Sequence, residues 1–163
     1  MTQAQPATYI TPELKADVGV EHPGQKSYPV AASDIRRWAI AVYWPEKPPR
    51  LFWDEEYAKK TRWKGIIAPQ EFNPFTWPPV RPANRPSAGG SGKPGSRILN
   101  GGVEYEYFAP IRPGDVITST NKLADLFERQ GKMGLMMFKV SQTDWKNQRG
   151  ELVRTGRMTL IYY

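Results

Sequence analysis

At 163 residues, with 39% hydrophobic and 12% aromatic side chains, the chain has the length and apolar content for one domain around a single sizeable core. It has no cysteine, which excludes disulfides, thiolate metal sites and a cysteine nucleophile; one histidine and no clustered acids leave a metal site unexpected. The net charge of +7 suits a phosphate-bearing ligand, but no compact Lys/Arg run is interleaved with aromatics, so nucleic acid is not the expected partner.

The start, "MTQAQPATYITPELK", has no basic segment followed by an apolar run, and no apolar stretch approaches the roughly 18 residues that cross a bilayer. The expectation is a cytoplasmic protein that binds no membrane. Residues 1–24 read as a loose arm, with the lone His22 in a Glu-His-Pro-Gly turn, and 25–30 as an edge strand. "SDIRRWAIAVYW" (33–44) predicts a helix capped by Ser33, with Ile35, Trp38, Ala39 and Val42 on one face. Pro45, Pro48 and Pro49 end it. "DEEYAKKTR" (54–62) predicts a short helix with acids first and bases last, Tyr57 and Ala58 turned inward. In 77–97, nine of 21 residues are Pro or Gly, four are basic and none is acidic. That composition predicts a long loop, serving as a lid or merely mobile.

Beyond Ile98 the pattern alternates. "VEYEYFAP" (103–110) sets Val103, Tyr105 and Tyr107 against Glu104 and Glu106, a strand with one wet face, and "RPGD" (112–115) is a turn. Three more strands follow, with turns at 130–132 and 147–150. Val116, Leu123, Leu126, Met136, Phe138, Val140, Val153, Met158, Leu160 and Tyr162 are the expected sheet core. Sequential hairpins make an antiparallel meander, and helices followed by such a sheet make an α+β domain.

Two segments carry a resemblance. "DEEYAKKTRWKGIIAPQEF" (54–72) resembles the approach to the central helix of MaoC-like hot-dog proteins, the (R)-specific enoyl-CoA hydratases and β-hydroxyacyl dehydratases. The segment 101–163, with its Pro-x-Arg-Pro-Gly-Asp turn and Asn-Gln-x-Gly-Glu-Leu-Val hairpin, resembles their closing meander. The likeness covers about 25–163 and is greatest to the N-terminal dehydratase-like branch. It implies one hot-dog domain over 25–163, a curved antiparallel sheet wrapped around a central helix, with acyl thioesters bound where two such units meet edge to edge. Pro74 would shorten or kink that helix.

Hydration of an enoyl thioester needs a base, an acid and polarisation of the acyl oxygen. In active relatives an Asp and a His of Gly-Asp-x-Asn-Pro-x-His do this work, with an Asp and Tyr-Ala shortly after. Aligned on Asp54, Tyr57 and Ala58, the histidine position carries Phe52, the aspartate position Lys47, and the Asn-Pro pair Pro49 and Arg50. The resemblance therefore implies a non-catalytic, acyl-binding half of a heteromeric hydratase or dehydratase acting on a bulky apolar thioester, of fatty-acid or steroid metabolism. Acyl-CoA or acyl-ACP is its substrate, no cofactor is expected, and a catalytic MaoC-like chain or a second copy is its partner. The expected tunnel wall is Phe52, Trp53, Trp63, Ile67, Ala68, Phe72, Phe75 and Trp77. Weak catalytic candidates are Asp54, which reads first as a helix cap or first-turn acid and only second as a base, and Glu71, which would be the carboxylate of a self-sufficient acyl-CoA thioesterase. An acyl-thioester binding module without chemistry is the remaining alternative.

Overall fold

The computed structural model describes residues 8–75, 95–132 and 134–163. The expected loop at 77–97 and Trp77 lie almost wholly outside them. The arm expected over 1–24 is ordered earlier than that: Thr11 caps helix α1 (Pro12–Ala16), its hydroxyl accepting from the Leu14 N–H, and Pro12 opens the helix where no N–H is needed. Strand β1 (Glu21–Lys26) follows and pairs antiparallel with the strand that begins at Thr118. It lies four residues before the expected 25–30. His22 is therefore on an edge strand rather than in a turn, with Nε2 2.6 Å from Asp17 Oδ1.

Helix α2 (Ala32–Tyr43) is where 33–44 predicts one, but its cap is Ala31, which makes no side-chain hydrogen bond. Ser33 is already inside the first turn. Ile35 and Ala39 are fully buried, whereas Val42, expected on the same face, is 51% exposed. A 3₁₀ turn (Arg50–Phe52) leads into helix α3 (Glu55–Lys60), capped by Asp54. Ala58 is buried as expected; Tyr57 is instead exposed, with Arg50 stacked 4.7 Å from its ring centroid. The central helix expected beyond Pro69 does not start within 66–75, which runs as turns. Pro69 and Pro74 each remove a backbone donor there. Ala68 and Phe72 of this segment pack onto the sheet, and α2 backs them through Ile35 and Trp38, whose ring meets Phe72 edge-on at 5.6 Å.

Four long strands complete the sheet: β2 (Ile98–Tyr107), β3 (Thr118–Gly131), β4 (Gly134–Lys146) and β5 (Leu152–Tyr162). The order is β1-β3-β4-β5-β2, antiparallel throughout. β2 thus lies at one edge, and Val103 and Tyr105, expected to form its dry side, are 44% and 53% exposed. The buried core is Val30, Ile35, Ala68, Phe72, Ile111, Ile117, Trp145 and Val153. Of the expected sheet core, Leu123 and Val153 are buried, Met158 is exposed, and the rest are half-buried. The register shifts at Leu123/Asp125 and Trp145/Lys146 are bulges with the extra residue on β3 and on β5 respectively. Ile117 and Met137 are buried in place of their neighbours Val116, Met136 and Phe138.

The two motif turns are tied together. Asp115, at the end of the "RPGD" turn, is buried with only 3% of its side chain accessible. Its carboxylate accepts the Arg112 N–H at 2.9 Å, Gln148 Nε2 at 3.2 Å and Arg149 Nη1 at 3.0 Å. Gln148 returns a bond, its Oε1 accepting from the Val116 N–H, and Arg149 Nε donates to Glu151. One carboxylate thus aligns the start of β3 with the β4–β5 turn.

Candidate acyl-binding site

At the positions that the sequence resemblance aligns with the family's proton carriers, the side chains make other contacts. The Lys47 ammonium lies 4.8 Å from the centroid of the Trp53 ring, and the indole N–H of Trp53 donates to the Pro48 carbonyl at 3.0 Å. With Arg36 and Ile40 these residues wall a shallow open groove. Phe52 turns the other way, packing against the core and against Tyr43 at a ring distance of 6.0 Å. Asp54 accepts the Tyr57 N–H at 3.0 Å and both Nε and Nη2 of Arg50, at 3.0 and 2.7 Å. The Tyr57 N–H first, and Arg50 second, hold its carboxyl below the ordinary value. Its oxygens serve a helix cap and an arginine fork.

A second cavity opens between 63–70 and the ends of β2 and β5. Trp63, Ile67 and Ala68, three of the expected wall residues, line it with Tyr107, Trp145 and Arg154. Its volume is ≈ 90 Å³. The other expected wall residues are divided. Phe72 and Phe75 belong to the core, Phe75 edge-on to Trp145 at 5.0 Å, and Trp53 lines the outer groove. Glu71 is exposed and does not line the cavity, although its neighbour Gln70 does.

Arg154 was not singled out by the sequence, where it reads as an ordinary polar strand position. Pairing of β4 with β5 sets it opposite Trp145, on the core side of the sheet. Its guanidinium carbon lies 3.3 Å from the centroid of the Trp145 ring and 4.8 Å from that of Tyr105. Gly156 makes room for this: a Cβ there would meet the Tyr105 ring at 2.8 Å. Burial pushes the guanidinium below its ordinary value, with Tyr105, Tyr107 and Glu71 acting in the opposite direction. The retrievable signal was Trp145 and Arg154 at hairpin-related positions, which requires the register to be known.

The family model for the FAS1-like dehydratase domain region matches residues 16–156. The chain belongs to this MaoC-like dehydratase family. Its fold is the α+β hot-dog of solved family members. The MaoC-like dehydratase of Rhodospirillum rubrum is 20% identical at a TM-score of 0.61, covering 90% of this chain and 92% of that one. A chain of the ChsH1-ChsH2 complex from Mycobacterium tuberculosis is 19% identical at 0.63, covering 86% and 84%. A chain of the HadBC (3R-hydroxyacyl-ACP dehydratase) complex from the same organism is 19% identical at 0.59, covering 89% and 96%. No curated protein matches the chain significantly. Among the described residues of this MaoC-like protein, no helix is long and apolar enough to cross a membrane.

Proposed function

We propose that this MaoC-like chain is the acyl-binding, non-catalytic subunit of a heteromeric enoyl-CoA hydratase or dehydratase. The observation that carries the reading is that Phe52, packed on Tyr43, and Lys47, over the Trp53 ring, are the side chains at the positions the resemblance aligns with the proton-transfer residues. A phenyl ring moves no proton, and an ammonium with an ordinary value near 10.4 is no base at neutral pH. The partner hot-dog chain supplies the Asp and the His.

Two features support a composite site. The cavity of ≈ 90 Å³ is well below the roughly 300 Å³ at which ligand pockets of drug size begin, so an acyl group needs a second wall. β2 is a sheet edge that exposes Val103 and Tyr105, with Met158 opposite Val103 on β5. A strand added there extends the sheet and closes the cleft, covering apolar surface that is otherwise wet. The fold-level likeness to chains of two named two-component complexes, ChsH1-ChsH2 and HadBC, agrees with such a partner. The substrate is then an apolar acyl thioester of CoA or acyl carrier protein.

The test is hydration of crotonyl-CoA and longer enoyl-CoAs by the purified chain, alone and co-purified with a MaoC-like chain that retains the Asp/His pair. The chain alone is expected to be inactive and the pair active. Robust turnover by the lone chain would reject the non-catalytic assignment.

A further inference from the structure

Arg154 is stacked on aromatic rings in an apolar cleft, and it has no acid. The ion pairs made by arginines of the described residues involve Arg37, Arg50, Arg149 and Arg157, none of them Arg154. Residues 1–7, 76–94 and 133, outside the described set, contain no Asp or Glu. Among the described residues no carboxylate side chain forms an ion pair with it. Glu71, the acid that acts on it through space, is exposed and forms no ion pair with it among the described residues. An arginine half-withdrawn from water ordinarily has a charged partner, because burial of an unpaired cation is costly.

The surroundings define what that partner must be. Trp63, Ile67, Ala68 and Trp145 make the walls apolar. The guanidinium carbon lies 3.3 Å from the indole centroid, and the Tyr107 hydroxyl is a side-chain hydrogen-bond partner of the group, which leaves its other N–H groups as donors. That fork matches a planar carboxylate, which it can bind through two parallel hydrogen bonds. The space, ≈ 90 Å³, accepts a small group with an apolar stem.

We propose that Arg154 is a carboxylate-recognition subsite, and that the acyl group bound by this chain carries a free carboxylate on an apolar stem. The second half of the statement rests on the acyl-thioester reading above; the subsite itself does not.

The experiment follows binding to the full chain by fluorescence of the tryptophans and by calorimetry, with two matched pairs of probes. Butanoate is compared with butanamide, its neutral isostere, and glutaryl-CoA with pentanoyl-CoA. The wild type is expected to favour each carboxylate by about 10-fold or more, the worth of a charge-assisted hydrogen bond or two. Arg154→Met should abolish both preferences, and Arg154→Lys, which keeps the charge but not the fork, should retain butanoate at several-fold lower affinity. Far-UV circular dichroism verifies folding, and Arg154→Lys alone decides the matter if the Met variant does not fold. No preference for butanoate in the wild type, or a preference that survives in folded Arg154→Met, overturns the proposal. Equal weakening of glutaryl- and pentanoyl-CoA by Arg154→Met also overturns it, because Arg154 would then hold a group common to both. Should neither thioester bind, to the chain alone or to its pair with a MaoC-like chain that retains the Asp/His pair, while the butanoate preference holds, the acyl-thioester reading fails and the subsite stands.

Discussion

Asp115 and Arg154 are both charged side chains drawn into the sheet, one under the turn before β3 and one on the core side of β5. Asp115 is met by a backbone N–H, an amide and a guanidinium from two turns, so its charge is spent on holding the turns in register. Arg154 is met by the rings of Trp145 and Tyr105 and by a hydrogen bond with Tyr107, and forms no ion pair among the described residues. A buried charge with a full set of partners is structural, and its removal should be felt in stability. A withdrawn charge without one is costly to keep, and its removal should be felt in binding. The two residues therefore make opposite predictions, and each can be broken separately.

The largest stability effect is expected at Asp115. Asp115→Ala leaves the Arg112 N–H and the Gln148 amide without their acceptor and uncouples the two turns. Loss of one such buried acceptor costs about 2–3 kcal/mol, held to the low side because Arg149 is half exposed and can turn to water. Urea unfolding should show a lower midpoint at unchanged slope. Asp115→Asn keeps one acceptor oxygen and should lose less. If Asp115→Ala unfolds like the wild type, the contrast with Arg154 collapses.

Much of this network was legible in sequence, and the reason is local chemistry. The "RPGD" and "NQRG" turns announce themselves by residues that favour turns whatever surrounds them. The acid-first, base-last order of 54–62 likewise places α3 and its Asp54 cap correctly. Features set by longer-range contacts were less legible. Alternation marks Val116, Met136 and Phe138 as core, but the buried residues are Ile117, in phase with Ser119 and Leu123, and Met137, in phase with Trp145, so the opposite set turns inward. Ser33 reads as a cap, yet Ala31 is the residue with extended backbone at the helix start. Arg154 was invisible because its meaning depends on Trp145 across the hairpin, a contact created by register and not by spacing along the chain.

A middle-sized effect tests the same distinction at Asp54, which is partnered like Asp115 but lies nearer the surface. The Tyr57 N–H and Arg50 lower its folded value from the ordinary 3.8. A carboxyl lowered by folding contributes stability that is complete above the unfolded value and is lost as pH falls through the folded one. Asp54→Asn should therefore lower Tm by a few degrees at neutral pH, and the gap to the wild type should close as pH drops below 3.8. A gap that persisted in acid would mean that the asparagine disturbs the helix start for another reason.

The smallest stability effect is expected where the ligand effect is greatest. Arg154→Met removes the stacking contacts with Trp145 and Tyr105, worth about 0.5–2 kcal/mol. It also removes the cost of keeping an unpaired guanidinium half out of water, and the methionine fills part of the space with apolar atoms. These terms oppose, so the unfolding free energy should move by less than about 1 kcal/mol in either direction. Urea titration of the variant beside Asp115→Ala makes the comparison directly. A loss for Arg154→Met as large as that for Asp115→Ala would show that Arg154 is a partnered structural charge after all. A near-neutral variant leaves its withdrawal from water unexplained by the fold, and the remaining explanation is an anion that arrives from outside the chain.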